Sequence, residues 1–327
     1  MQTRFLVASA TLLLLPALAA VATTSSGTVL QPDKLVILST TDVKGKTSPC
    51  GCHVPKGGLS RRASLADSIR AQYGQVALVD NGGFFPEGDG QQDLAGFIMD
   101  VMNRLNTDAV GVGERDLRYG ASFLRAQVKH NRLPVVCANL IEKRSRKPLF
   151  DPYLVKKIGG VEVGFFGLIG AKTNLGPSQD SLLVEEPVAV ATRTIAEMRK
   201  KGVDVVVLLG QLGKVENEDL VSTVDGVNAV VVGRDTPIIP KGQMIKNTVA
   251  CYGGEQGYYL CKTVLTLDAR RQVTSGEADA VMLGPEVSDQ PEINKLVKRF
   301  EDGFNEKLRK AETERAARAT KQVGGDN

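Results

Sequence analysis

Two histidines, no tryptophan and five cysteines are all that a chain of 327 residues offers of those types. A site that needs three or more imidazoles is therefore excluded. Charge of one sign is also lacking. Lys+Arg of 41 against Asp+Glu of 37 leaves +4, spread along the sequence, so nonspecific nucleic-acid binding is not indicated. Beyond residue 22 no segment is long and apolar enough to cross a bilayer. What remains is 42% hydrophobic and 24% charged residues, the balance of a globular protein with chain enough for a large core.

Residues 1–4 form a short basic leader. Residues 5–22 are apolar, interrupted by Ser9, Thr11 and Pro16, and close on Ala20, Val21 and Ala22. This order reads as a secretory signal peptide over residues 1–22. The rival is an uncleaved anchor, since about 18 residues just suffice to span, but the proline and the small-residue end favour cleavage. No cysteine lies near the cleavage point, which argues against a lipid anchor. The expected mature chain is exported, periplasmic or extracellular, and not an integral membrane protein. Disulfides persist in that setting.

Apolar runs and helical periodicities then alternate. Strands are expected at residues 35–40, 76–80, 109–112 and 133–137, with helices at 60–73, 94–105 and 116–129 between them. Gly159-Gly160 marks a hairpin between residues 155–158 and 161–168 that starts or joins a second sheet. Helices at 187–200 and 216–224 and strands at 203–209 and 227–232 restore the alternation. After Thr236 the texture turns β-rich, with strands at 248–252 and 259–267. Two sheets with helices outside them follow. From Pro291 a last helix carries the stripe Ile293, Val297, Phe300, Phe304, Leu308 and Ala311, expected to dock on the body, with a frayed charged tail beyond residue 312. The division is residues 1–22, a domain over 34–290, and a C-terminal helix and tail over 291–327.

The loops after the strands are where an α/β protein places its chemistry. LVILSTTDVKGK with the following GGLSRRASL resembles the opening of the 5'-nucleotidase branch of the calcineurin-like metallophosphatases. The likeness continues in order through VALVDNGGFFPEG, FIMDVMNRLNTDAVGVGERDLRYG, VDVVVLLGQLG, AVVVGRDT and CYGGEQGYYL. It implies a four-layer α/β/β/α metallophosphatase-like sandwich. The family's enzymes hold two divalent metals with carboxylates, an Asn and imidazoles, to generate hydroxide and clamp the leaving phosphate. Matched residue by residue, Asp42 stands where the family's first Asp would be, but Lys44 replaces its His and Gly83 its bridging Asp. Glu114, Arg115 and Asp116 fall on the Asn-His-Glu run, Gln211 on a later His, and Arg234 and Asp235 on the final Gly-His-x-His loop.

A dimetal centre without a bridging carboxylate, and with cations directed inward, lacks charge balance for metals totalling about +4. The expectation is a metallophosphatase fold with its metal site lost, no metal and no cofactor. A second, base-binding domain of the kind the nucleotidases carry is not expected. Lys44, Arg115 and Arg234, opposed by Asp42, Glu114 and Asp235, suggest fixed cations in place of the metals, with drift to solvent-exposed pairs as the plain alternative.

The segment SPCGCHVPKGG falls where the nucleotidases have a variable loop. Cys50 and Cys52 are candidate catalytic thiols. An extended i to i+2 separation is near 7 Å, at the limit for a disulfide, so closure needs a bend that Gly51 permits. Bridges of this kind are labile, which favours exchange chemistry, and Lys44, Arg61, Arg62 or His53 would favour the thiolate. The loop resembles that of the UshA-like (seleno)proteins, some of which carry selenocysteine, and this implies redox chemistry. The rivals are a soft-metal site of Cys50, Cys52 and His53, and an inert bridge pinning the loop. CGCH is one residue short of covalent haem attachment. Cys137 reads as a buried, inert residue, and pairing of Cys251 with Cys261 stays open.

The reading is an exported thiol-redox protein with the Cys-Gly-Cys motif at the mouth of the old pocket and a redox or electron-transfer partner. The alternatives are a non-catalytic anion- or partner-binding protein, then a residual 5'-nucleotidase-like hydrolase.

Overall fold

A computed structural model describes residues 33–323, with side chains through residue 314. The expected leader at residues 1–22 lies outside the described residues. Strand β1 (Lys34–Thr40) leads through a long loop to helix α1 (Leu59–Tyr73), then β2 (Val76–Asp80), α2 (Gln92–Arg104) and the short β3 (Ala109–Val110). Helix α3 (Ala121–Asn131) and strand β4 (Leu140–Glu142) precede the hairpin of β5 (Tyr153–Ile158) and β6 (Val161–Ile169). After β7 (Leu182–Val184) come α4 (Pro187–Lys200), β8 (Val205–Gln211), α5 (Lys214–Thr223) and β9 (Ala229–Val232). Strands β10 (Ile238–Ile245), β11 (Thr248–Gly253), β12 (Tyr259–Leu267) and β13 (Val273–Met282) are followed by α6 (Pro291–Val323).

Hydrogen bonding orders these strands β3-β2-β1-β12-β13-β10-β11-β9-β8-β6-β5, with β4 and β7 paired apart. The sheet doubles over on itself. Strand β10 joins β13 through the pairing of Lys241 with Asp279, and the two halves face each other across an apolar layer. Leu35, Ile37, Ala77 and Val79 enter that layer from one half, and Val163, Phe165, Val205 and Val207 from the other. Alternate residues point outward: Val36, Leu38 and Leu78 pack under α1 and α6, while Phe166, Leu168, Val206 and Leu208 pack under α4 and α5. Strands buried on both faces favour apolar residues at nearly every position, which is why they read as near-continuous runs. The four layers expected from the resemblance are the architecture found.

Several local expectations are corrected. Residues 114–131 hold a 3-10 turn (Glu114–Leu117) before α3, because Gly120, at φ 83°, interrupts the helix. Residues 133–137 make only single bridges, at Val110 with Val135 and Val136 with Asp151. Pro134 there has no amide to donate. Helix α6 docks through Ile293 and Val297 as expected, but continues past residue 312 to Val323 instead of fraying. Its Ala-, Glu- and Arg-rich sequence has high helix propensity, and Glu306 pairs with Lys310 at 2.6 Å one turn apart.

Cys251 and Cys261 form a disulfide with Cα atoms 6.2 Å apart. One lies on β11 and the other on β12, both in the layer between the sheet halves, so the bond ties the halves together. Cys137 is buried and free, as expected, and burial pushes its thiol up to about 12. No helix among the described residues is long and apolar enough to cross a membrane.

Candidate functional site

The C-terminal ends of β1, β2, β3, β8 and β9 bring five loops together. They enclose a cavity of about 340 Å³ lined by Asp42, Glu114, Arg115, Arg118, Gln211, Arg234 and Asp235. Asp42, Lys44, Arg234 and Asp235 all adopt positive φ, at 49°, 52°, 73° and 50°. Non-glycine residues avoid this region unless their surroundings impose it, and such residues cluster at functional sites.

Asp42 lies at the floor, 4% exposed. Its Oδ2 accepts from Thr41 Oγ1 at 2.7 Å and from the Arg234 backbone N–H at 2.9 Å. Gln211 Nε2 sits among oxygens, at 3.0 Å from Thr41 Oγ1, 3.2 Å from the Gly82 carbonyl, and 3.4 and 3.5 Å from the two Asp42 oxygens. Burial raises the Asp42 carboxyl above its ordinary range despite these donors. Gly83, at φ 74°, leaves so little room that a Cβ there would lie 2.3 Å from Asp42 Oδ1. The Asp42 carboxylate therefore occupies space that any side chain at position 83 would need.

Two buried residues outside the expected pocket set shape this floor. Asn81 donates from Nδ2 to the carbonyls of Val231 at 2.9 Å and Gly210 at 3.3 Å, linking β2 to β8 and β9. Asp116 accepts the backbone N–H groups of Gly83, Gly113, Phe84 and Phe85 at 2.7, 2.8, 3.0 and 3.2 Å. Complete burial raises its carboxyl to about 7 against those donors. Its match to the last residue of the family's Asn-His-Glu run was the sequence signal that marked it. Arg118, also unanticipated, joins the lining and pairs with Asp89 at 3.2 Å.

The charge pairs differ from those expected. Lys44 turns to a neighbouring cleft, where its ammonium meets Asp235 at 2.9 Å and Glu255. Burial alone would lower the Lys44 pKa, but these two carboxylates raise it, and its hydrogen bonds hold both carboxyls below their usual range. Arg234 faces Glu114 at 3.8 Å, as supposed, its guanidinium lying over Gly170, where a Cβ would come within 2.4 Å. Arg115 pairs instead with Glu87 at 2.7 Å. Asp42 is engaged by hydroxyl, backbone and amide donors and not by a guanidinium.

The Cys-Gly-Cys loop is bent as required, with Cα atoms of Cys50 and Cys52 5.3 Å apart and the sulfurs bonded. Its base is fixed: Thr47 and Ser48 donate to Glu301 of α6, Leu59 N–H donates to the Thr47 carbonyl, and Gly57 N–H to that of Leu283. Gly51, Cys52, His53 and Val54 are exposed, whereas Cys50 is half-buried and receives the Lys56 N–H on its sulfur at 3.4 Å. No residue of this loop is among those lining the cavity, so the motif does not sit at the cavity mouth and His53 is not a pocket residue. Nor are three of the four supposed thiolate partners available. Arg62 is buried on Asp80 at 3.0 Å, Arg61 donates to the carbonyls of Pro55 and Leu283, and Lys44 is doubly paired. Among the described residues no group of three or more His, Cys, Asp and Glu side chains is placed to hold a metal ion.

No protein-family model matches the chain. A 2',3'-cyclic-nucleotide 2'-phosphodiesterase/3'-nucleotidase of Yersinia enterocolitica is 31% identical over 267 residues, covering 70% of this chain and 40% of that protein. Crystal structures of a 5'-nucleotidase precursor from Thermus thermophilus and of the calcineurin-like phosphoesterase YfkN from Bacillus subtilis share the fold. Their TM-scores are 0.75 and 0.72 at 24% and 23% identity, covering 83% and 84% of this chain and 59% and 99% of theirs. The chain spans 33% to 40% of the length of the first curated relatives it matches.

Proposed function

We propose that this homologue of the cyclic-nucleotide phosphodiesterase/3'-nucleotidase and 5'-nucleotidase proteins is exported, has lost the two-metal centre, and performs thiol–disulfide exchange through Cys50 and Cys52. The observation that carries the redox reading is the closed i, i+2 cysteine pair on a fixed loop base, with Cys52 in the exposed tip. A bridge meant only for stability gains little from so short a loop and is better kept from solvent.

The donor set at the strand ends does not fit a pair of divalent ions. Asp42, Glu114 and Asp235 line the cavity opposite Arg115, Arg118 and Arg234, so its formal charges cancel before any ion enters. Two divalent metals would add about +4 with no carboxylate to bridge them. Gln211 presents N–H groups to the Asp42 oxygens, where a metal would require those oxygens free.

Two measurements test the reading. Peptide mass spectrometry of the purified protein is expected to find a Cys50–Cys52 bridge that reduces at a potential above about −220 mV. Metal analysis after manganese incubation is expected to find no paired ions; two tightly bound ions per chain restore the hydrolase. A second reading, anion binding, is favoured by the convergence of Arg115, Arg118 and Arg234. The partners Glu87 and Asp89 are 69% and 100% exposed, so an oxyanion competes with weak, screened pairs. The Arg115→Ala/Arg234→Ala variant is expected to lose phosphate binding measured by calorimetry; unchanged binding removes this reading.

A further inference from the structure

The two sulfurs of the Cys-Gly-Cys loop are not equivalent, and from this we infer the order of exchange: Cys52 carries the mixed disulfide, Cys50 is the resolving thiol, and the partner is a dithiol. The inference rests on the redox reading above. Cys52 lies in the exposed tip with Gly51, His53 and Val54, and an incoming thiolate must approach in line with the sulfur–sulfur bond it breaks. Cys50 is half-buried at the loop base, where its N–H bonds the Lys56 carbonyl at 2.9 Å and its sulfur receives the Lys56 N–H at 3.4 Å.

The partner thiolate therefore attacks Cys52 Sγ. A bond forms between the partner's sulfur and Cys52 Sγ, the Cys50–Cys52 bond breaks, and its electron pair leaves on Cys50 as a thiolate. The Lys56 N–H, already on that sulfur, stabilises the charge. A second thiol of the partner then attacks its own sulfur in the mixed disulfide and expels Cys52. The partner ends as a disulfide and the protein as two thiols, with two electrons and two protons transferred. In reverse the same path has Cys52 attack a substrate disulfide and Cys50 resolve it.

The short Cys50–Cys52 spacing also selects the partner. With Cα atoms 5.3 Å apart, Cys50 recloses on Cys52 intramolecularly and expels any adduct. A monothiol must find a second molecule in time to compete, whereas a dithiol carries its second nucleophile with it.

Oxidised glutathione is the probe, applied to the reduced full chain and to Cys50→Ser and Cys52→Ser, with circular dichroism to confirm that each folds. Peptide mass spectrometry is expected to show a lasting glutathione adduct on Cys52 in Cys50→Ser, formed about tenfold faster than any adduct in Cys52→Ser. The wild-type chain is expected to hold no adduct and to release two glutathione molecules per chain as the pair closes. A faster adduct on Cys50, or a lasting wild-type adduct, overturns the order while leaving the redox reading standing. If a variant does not fold, brief exposure of the oxidised wild-type chain to glutathione with acid quenching locates the transient adduct, and finding it on Cys50 overturns the order. A wild-type pair that exchanges with no thiol defeats the redox reading itself.

Discussion

Removing each disulfide separately distinguishes a redox pair from a staple. A bridge restricts the unfolded chain by an amount that grows with the logarithm of the loop it closes. Cys251 and Cys261 are 10 residues apart in sequence, which corresponds to roughly 3 kcal/mol at 25 °C. Both are essentially unexposed, at 0% and 1%, so Cys→Ala changes there also leave a void. Cys50 and Cys52 are separated by 2 positions, for which the same relation gives about 1 kcal/mol. At about 2 °C per kcal/mol, the Cys251→Ala/Cys261→Ala chain is expected to melt about 6 °C or more below wild type, and Cys50→Ala/Cys52→Ala about 2 °C below. Differential scanning calorimetry on matched samples measures both. A drop for the Cys50/Cys52 pair as large as for the core pair would refute the reasoning, because the loop bridge would then be holding the fold.

Further outcomes follow from the site. Gly83→Ala is expected to cost about 2 kcal/mol or more in urea unfolding, since φ is 74° and the new Cβ meets Asp42 Oδ1 at 2.3 Å; a neutral change would mean that the floor relaxes freely. Asp116 has its folded pKa raised from 3.8 to about 7, so its contribution to stability is full below pH 4 and is lost as pH rises to 7. The gap in unfolding free energy between wild type and Asp116→Asn is therefore expected to narrow over that range by up to about 4 kcal/mol, and a widening gap would show the opposite shift. Cys137 is expected to resist maleimide at pH 8 in the native state and to react fully in guanidinium, read by intact mass; rapid native labelling would contradict its burial.

The strands of the interior layer were legible because burial on both faces keeps β1, β6 and β8 apolar through most of their length, with polar residues such as Lys34, Thr40, Glu162 and Gln211 at or next to their ends. Strands β10 and β13 were not, because each exposes residues such as Lys241 and Glu277 that break the run. At the site, the order of loops sufficed to bring Asp42, Gln211, Glu114, Arg115, Arg234 and Asp235 to one cavity. Charge partners were beyond reach. Lys44 takes Glu255 and Arg115 takes Glu87, acids supplied by other loops whose position depends on the finished fold. The pairing of Cys251 with Cys261 was open for a related reason. Their strands are not hydrogen-bonded neighbours, and the bond crosses between sheet halves, so no strand register could have announced it.

The clasp between the sheet halves has a consequence for the exposed pair. Bulky thiols that reach Cys52 do not reach Cys251 or Cys261, which are sealed among aliphatic side chains. Opening of the tip bridge is therefore expected to leave the scaffold that carries it intact, as a tool head is changed while the handle stays bolted. Reductant strong enough to open both would report on the health of the fold, whereas a mild one reports on the tip alone.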